Sequence, residues 1–445
     1  MSASECEERL EVVEICAGAG GQSLGLHRAG FTHRLAVELD PQAALTLDKN
    51  LRRLLEEDGA DAPDGLVKVG DVADPGVWKP EEHTGVALLA GGVPCPPFSI
   101  AGKQLGTSDE RDLFAWAIEL CDRMKPKALL LENVRGLSAN RFSGYRQAVL
   151  DKLNDLGYIA SWKLLHASDF GVPQLRPRFV LIALQPEYAP YFQWPKGIPG
   201  QAPTVGQVLA DLMAEEGWAE EEVAAWAKKA DGIAPTIVGG SKKHGGADLG
   251  PTRAKRAWAA LGVDAMGVAN HAPKPGFQPE NGATGPKLTT AMVARIQGWH
   301  GEEFGGWKFE GRKTAVYRQI GNAFPPPVAK ALGEAIRDAL HKKGEPQPLL
   351  EASSPVHDPV YKLLRSSTRP LTAEQIITKL AADGTAMDQA EVERHLNHLR
   401  HDFELEAIER KSGQLAYALG EFKAFVGQAD HQRHDLFTQH RGRIS

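Results

Sequence analysis

From Glu11 to about Leu184, short apolar runs rich in β-branched residues alternate with stretches of helical period. The runs are EVVEICA, RLAVEL, LVKVGD, GVALLAGGV, KALLLENV and RFVLIAL. Strands that are apolar on both sides, with helices between them, are how a doubly wound parallel sheet reads, because helices cover both its faces. The helices have legible ends. Pro41 sits just inside QAALTLDKNL, where its missing N–H costs nothing, and DLFAWAIELCDRM stops before Lys125-Pro126.

Between about Gln185 and Lys287 the pattern breaks into Gly, Pro, Lys and Trp, with one acidic amphipathic helix, VGQVLADLMAEEGWAEEEVAAWAKKA, near its start. Helical period returns from Leu288 to about Lys343, around TTAMVARIQGW and PPPVAKALGEAIRDALHKK. GEPQPLLEASSPVHDP then reads as a linker. LTAEQIITKLAADG, QAEVERHLNHLRHDF and ELEAIERKSGQLAYALG predict two helices and a hairpin turning at Ser412-Gly413, a small winged-helix-like unit. The expected division is 1–185 for the first part of the sheet domain, 186–287 for an insert and 288–343 for its second part. A linker, 344–358, and an accessory domain and tail, 359–445, follow.

Charge changes the picture only locally. The 445 residues carry 51 Lys+Arg against 57 Asp+Glu, a net −6, so a basic coat is excluded and an acidic partner must meet one local face. No apolar run is long enough to span a bilayer, and the acidic start MSASECEERLEVVE has no basic stretch ahead of an apolar one. A cytoplasmic protein without membrane attachment is the expectation. The four cysteines, Cys6, Cys16, Cys95 and Cys121, form no C-x-x-C pair, which argues against a disulfide framework and a Cys-rich metal site.

The first run empties into Gly18-Ala19-Gly20-Gly21 ahead of a helix, LGLHRAG, which puts backbone N–H groups and a positive helix end at the sheet's carboxyl edge. Glu38, at the end of the next run, is placed to accept from ribose hydroxyls, and Asp71, after the third, from an adenine amino group. The third glycine of a dinucleotide fingerprint is replaced by Ser23. These residues fit a nicotinamide, flavin or S-adenosylmethionine site alike. At the same edge GVALLAGGV leads into PCPPFS, where Pro94, Pro96 and Pro97 stiffen the backbone around Cys95 and suit a thiol held at an attack angle. ALLLENV puts Glu132 at the next strand end, where a partly buried carboxyl can hold or donate a proton.

Six blocks in order, EICAGAGG, VELD, GDVAD, GGVPCPPFSIAGK, LLLENVRGL and QLRPRF, followed by KLTTAMVARIQGW and YRQIGNAFPPPVAKAL, make residues 11–340 resemble the DNA (cytosine-5) methyltransferases of bacterial restriction–modification type. The resemblance implies an α/β, doubly wound, Rossmann-like S-adenosylmethionine-dependent methyltransferase domain. It also implies an enzyme that methylates carbon 5 of cytosine in a short specific duplex DNA site and releases S-adenosylhomocysteine, without a metal. Carbon 5 is a poor nucleophile; thiolate addition at carbon 6, helped by a proton at ring nitrogen 3, turns the ring into an enamine-like nucleophile. On the family pattern Cys95 is the nucleophile and Glu132 holds ring nitrogen 3 and the exocyclic amine. Arg176 and Arg178 steady the flipped nucleotide and the catalytic loop. Cys16, Gly18, Ala19, Gly20, Gly21, Glu38, Asp71, Val72, Pro94, Leu113 and Asn322 line the cofactor pocket. SIAGKQLGTSDERD is the mobile loop that serves base flipping.

Two departures stand out: Cys16 replaces an aromatic that usually stacks on adenine, and Pro96 follows the nucleophile where Gln is common. A tRNA cytosine methyltransferase and a silent DNA-binding protein share the fold; a long insert and an added tail speak against the first, and intact Cys95, Glu132 and Arg176 against the second.

The insert is where such enzymes read DNA. Residues 236–287 hold seven Lys/Arg against three acids, a local excess that includes Lys242, Lys243, Arg253, Lys255 and Arg256 for phosphates or guanine edges. The tail, 351–445, holds twelve Lys/Arg against fourteen Asp/Glu and seven of the fifteen histidines. His395, His398 and His401 share roughly one helix face, and with His431 and His434 they read as solvated or packing groups rather than metal ligands. A monomer, with duplex DNA and a cognate restriction endonuclease as partners, completes the expectation.

Overall fold

The computed structural model describes residues 10–94, 113–239, 247–280, 282–347 and 357–422. Seven strands form its main sheet: β1 (Leu10–Ile15), β2 (Phe31–Glu38), β3 (Val67–Val69), β4 (Leu88–Gly91), β5 (Ala128–Val134), β6 (Ile159–His166) and β7 (Pro177–Leu184). Their order is β3-β2-β1-β4-β5-β7-β6. β3, β2, β1, β4 and β5 run parallel, whereas β7 is antiparallel to both β5 and β6. The sheet is therefore mixed, a correction to the all-parallel pattern. RFVLIAL is buried throughout β7, and a run buried on both faces carries no mark of its direction. β6, IASWKLLH, escaped the sequence pattern because it is a half-buried edge strand without an apolar run.

The helices are α1 (Gly21–Arg28), α2 (Pro41–Glu57), α3 (Leu113–Met124), α4 (Ser143–Asp155), α5 (Val205–Ala214), α6 (Glu220–Lys229), α7 (Thr252–Ala260), α8 (Thr290–Ile296), α9 (Gly301–Phe304), α10 (Lys313–Asn322) and α11 (Pro326–Leu340). Asp40 caps α2 by accepting from Gln42 N and Ala43 N, with Pro41 at its first position. One sheet face packs under α3 and α4, through Phe114, Ile118, Cys121, Tyr145 and Val149. The other packs under α1 and α11, where Val328, Leu332 and Ile336 form a stripe; each such side chain contributes roughly 1.5–3 kcal/mol on burial. The acidic stretch expected as one helix is two, because Gly217 at φ 86° turns the chain between α5 and α6. Leu209 and Met213 of α5, Trp226 of α6 and Trp258 of α7 share one core with Leu47 and Leu51 of α2 and Ile320 of α10. Packing thus ties residues 205–260 to the sheet domain.

The C-terminal unit has its own core. Its elements are α12 (Pro359–Ser366), β8 (Leu371–Thr372), α13 (Ala373–Ala382), α14 (Gln389–Asp402), β9 (Phe403–Glu409) and β10 (Leu415–Phe422), with sheet order β8-β10-β9. Val360, Leu364, Ile376, Leu380, Val392, Leu396 and Phe403 fill that core, together with Ala148 of α4.

Candidate active site

The carboxyl edge of the sheet gathers the residues with chemistry. Beyond β1 the chain enters left-handed conformations at Cys16 (φ 51°), Gly18 (φ 59°) and Gly20 (φ 93°) before α1 begins. A Cβ on Gly20 would lie 2.3 Å from the Trp307 ring, so only glycine fits both the conformation and the space. Trp307 also donates from Nε1 to Ala19 O at 2.9 Å, and it clamps the glycine loop from 288 residues further along the chain. Sequence reasoning missed Trp307: it stands in GGWKFEGR, without periodicity to mark it.

Glu38 closes the loop from the side. Its Oε2 accepts from Gly18 N and its Oε1 from Asp40 N, each at 2.8 Å. Burial pushes its carboxyl up, and the two backbone donors pull it back toward the ionised form. Both donors fix the carboxylate, which suits an acceptor waiting for hydroxyl groups. Asp71 accepts from Ala73 N at 2.9 Å, while Val72 is buried and its carbonyl takes the Trp78 indole N–H at 2.7 Å. Leu113 opens α3 and, like Cys16, packs against the core that includes Val72. Asn322 ends α10, with Gly239 of the insert pressed against it: a Cβ there would lie 2.4 Å from Asn322 Oδ1.

Glu132 and Arg178 meet on β5 and β7. Val134 is opposite Arg178 in the antiparallel ladder and Glu132 opposite Val180, so the two charged side chains are diagonal neighbours on one face. Arg178 Nε lies 2.5 Å from Glu132 Oε1, and both side chains are about nine-tenths buried. The contact is a close, buried ion pair in which Glu132 supports the guanidinium charge. Burial pushes the Arg178 guanidinium down and Glu132 holds it up. The other carboxylate oxygen, Oε2, reaches over Gly92, 3.5 Å from where a Cβ would stand. Cys16 O lies beside the same point, so β1, β4 and β5 converge there. Asn133 donates to Val93 O at 3.2 Å and ties the end of β5 to the segment ahead of Pro94. Pro94 is exposed and is the last described residue before Cys95. Cys95 itself and SIAGKQLGTSDERD lie outside the described residues, as do Lys242 and Lys243.

Arg176 is placed differently. Its guanidinium is buried and donates to Ile237 O at 2.7 Å and to Gly321 O and Ala323 O at 2.9 Å each. Burial, with Arg178 nearby, pushes it down. It stitches the insert and the end of α10 to the sheet edge, and the Glu132 charge supports it there. In the basic stretch, Lys255 pairs with Asp248 at 2.6 Å, whereas Arg253 and Arg256 on α7 are exposed and in no ion pair among the described residues. The described residues hold no cluster of three or more groups fit for a metal ion.

The mixed sheet thus gathers a glycine loop, an acidic residue fixed at the end of its second strand and a buried, ion-paired carboxylate on its fifth, all at the carboxyl edge where ligands bind in doubly wound α/β folds. The model of the C-5 cytosine-specific DNA methylases matches residues 10–338, and the chain belongs to that family: it is a DNA (cytosine-5)-methyltransferase. The Type II methyltransferase M.NaeI of Lentzea aerocolonigenes is 61% identical over 438 residues, 98% of this chain and 100% of that protein. The Type II methyltransferase M.NgoMIV of Neisseria gonorrhoeae is 46% identical over 334 residues, 74% of this chain and 98% of that protein. The family uses S-adenosylmethionine.

Proposed function

We propose that the enzyme attacks carbon 6 of a flipped cytosine in duplex DNA with Cys95 while Glu132 holds ring nitrogen 3 and the exocyclic amine. One observation carries this reading: a buried, ion-paired Glu132 at the sheet edge where the segment leading to Cys95 begins. The Cys95 thiolate forms a bond to carbon 6, and the electron pair released across the ring is stabilised by the proton that Glu132 directs to nitrogen 3. S-adenosylmethionine, when bound, supplies an electrophilic methyl group to carbon 5. Methyl transfer leaves S-adenosylhomocysteine; water then takes the carbon 5 proton, the C–H pair re-forms the double bond between carbons 5 and 6, the thiolate leaves carbon 6, and nitrogen 3 returns its proton to Glu132. Arg178 keeps Glu132 oriented throughout, and Arg176 keeps the insert seated on the catalytic edge.

The residues fit that cofactor. Gly18, Ala19, Gly20 and Gly21 allow close backbone approach, and Glu38 would accept from ribose. Asp71, Val72 and Leu113 would line the adenine, with Cys16 offering a smaller contact than an aromatic ring. Pro94 and Asn322 would close the pocket near the methionine end. Arg253 and Arg256, with Lys242, Lys243 and Lys255, would meet the DNA backbone and base edges. We read 186–287 as the target-recognition region and 359–445 as a winged-helix-like accessory domain. The names of the relatives support pairing with a cognate restriction endonuclease, and we read the enzyme as a monomer in a bacterial cytoplasm.

A duplex carrying 5-fluorocytosine at the target position tests the mechanism, because fluorine cannot leave as the carbon 5 proton does. With S-adenosylmethionine, the wild type should form an adduct that survives denaturation, and Cys95→Ser should form none. An adduct in the variant, or none in an active wild type, contradicts the assignment.

A further inference from the structure

The C-terminal unit sits on α4, and α4 begins just after the turn that follows Glu132. The polar groups at that seat form a connected set. Asp358, fully buried at the start of α12, accepts from Ser143 Oγ of α4 at 2.8 Å, from Tyr361 N at 2.9 Å and from His395 Nδ1 of α14 at 2.9 Å. His357 N donates to Gln147 Oε1 at 3.1 Å, and Arg365 reaches Asp151 and Asp155 at 3.0 and 3.1 Å. Phe422 of β10 meets Tyr145 edge-on at 5.3 Å.

Arg146 lies at the centre. Its NH1 donates to Leu137 O and Ala139 O, both at 2.8 Å, in the turn directly after Glu132-Asn133-Val134. Its Nε donates to His357 Nδ1 at 3.4 Å, and its guanidinium carbon lies 5.9 Å from the ring of Phe179, the ladder partner of Asn133. Burial pushes the guanidinium down to about 10, and Asp358 supports its charge. A buried guanidinium on two carbonyls needs compensation from a nearby anion. The C-terminal unit supplies it as Asp358. Without that unit the face of α4 would open to water, and Arg146 would be free to turn outward and release both carbonyls.

We propose that Arg146 is a positioning residue through which the docked C-terminal unit holds the turn after Glu132, and with it the catalytic carboxylate, in place. This rests on the reading of Glu132 given above. M.NgoMIV is matched over 98% of its length by 74% of this chain, which leaves it no length for such a unit. The device therefore belongs to this chain and not to the reaction as such.

Single-turnover methyl transfer by the full chain to duplex DNA tests the proposal in Arg146→Gln, Arg146→Lys, Asp358→Asn and Glu132→Gln. Arg146→Gln should slow the step about ten- to a hundredfold, the scale of a small misplacement at a catalytic group, with KM for DNA and for S-adenosylmethionine within about twofold. Lysine should recover part of the rate. Asp358→Asn should slow the same step and add little to Arg146→Gln, as expected of residues acting as one unit. A wild-type rate in folded Arg146→Gln beside a slow Glu132→Gln overturns the coupling alone, and a wild-type rate in Glu132→Gln overturns both readings. Should Arg146→Gln not fold, amide hydrogen exchange over 133–142 in Asp358→Asn decides: faster exchange there supports the proposal, and unchanged exchange overturns it.

Discussion

The edge of the main sheet and the hairpin of the C-terminal unit both carry acidic residues, in opposite circumstances. On β5, Glu132 is buried, paired with Arg178 and set over Gly92. On β9, Glu404, Glu406 and Glu409 are exposed, as ordinary solvated side chains are. A carboxylate taken out of water costs free energy unless partners compensate it, so a buried pair at a strand end marks chemistry in a way that an exposed acidic row does not. The relatives divide along the same line. M.NaeI matches the chain over both regions, and M.NgoMIV over about the length of the first.

Replacing the buried carboxylate should have the largest effect. Glu132→Gln is expected to slow single-turnover transfer by roughly 10²–10⁴-fold, the range of a lost general acid, while DNA binding by gel shift changes little. Equal losses in rate and binding would make Glu132 a binding group instead. Arg178→Met, which leaves Glu132 buried without its cation, should cost roughly 3–5 kcal/mol of stability by thermal or denaturant unfolding. A near-wild-type transition would show that the ion pair holds little.

Gly20→Ala sharpens the comparison at the cofactor side of the same edge. At φ 93° and against Trp307, it should destabilise by roughly 1–3 kcal/mol and weaken S-adenosylmethionine binding by calorimetry. Arg253→Ala with Arg256→Ala should lower the slope of DNA affinity against salt by about two phosphate contacts. An unchanged slope would remove α7 from the DNA interface.

The smallest effect belongs to the seat of the C-terminal unit and has a pH sign. Burial pushes His357 down to about 4 from 6.5, so the unfolded chain binds that proton more readily. Its contribution to stability is full above pH 6.5 and lost as pH falls toward 4. His395 is held up by its hydrogen bond to Asp358, so its contribution is full below pH 6.5 and lost as pH rises through its raised value. Unfolding midpoints should therefore fall on the acid side in wild type and less in His357→Ala. They should fall on the alkaline side less in His395→Ala.

Much of the catalytic edge was legible in the sequence because its signals are local. Glycines at a strand end and a carboxylate closing an apolar run each sit within a few residues. Pro41 and Lys125-Pro126 marked helix ends for the same reason. What escaped depends on contacts across the chain. The reversed direction of β7, the clamp of Trp307 on Gly20 and the reach of Arg176 to Ile237 and Gly321 join segments far apart. The split of α5 from α6 was missed for a nearer reason, since an apolar stripe can be read straight through a glycine that ends it. In the tail, His395 is a packing group on a buried aspartate, one of the two readings its helix face allowed.

We propose that Cys95, which follows Pro94 in the chain, performs methyl transfer to cytosine in one short DNA sequence. Bisulfite sequencing of DNA from a methylation-free host expressing either the wild type or Cys95→Ser tests it most directly. Protected cytosines are expected within a single recurring short motif in the wild type and none in the variant. Protection that persists in Cys95→Ser, or soluble wild-type enzyme that leaves every cytosine unprotected, would contradict it.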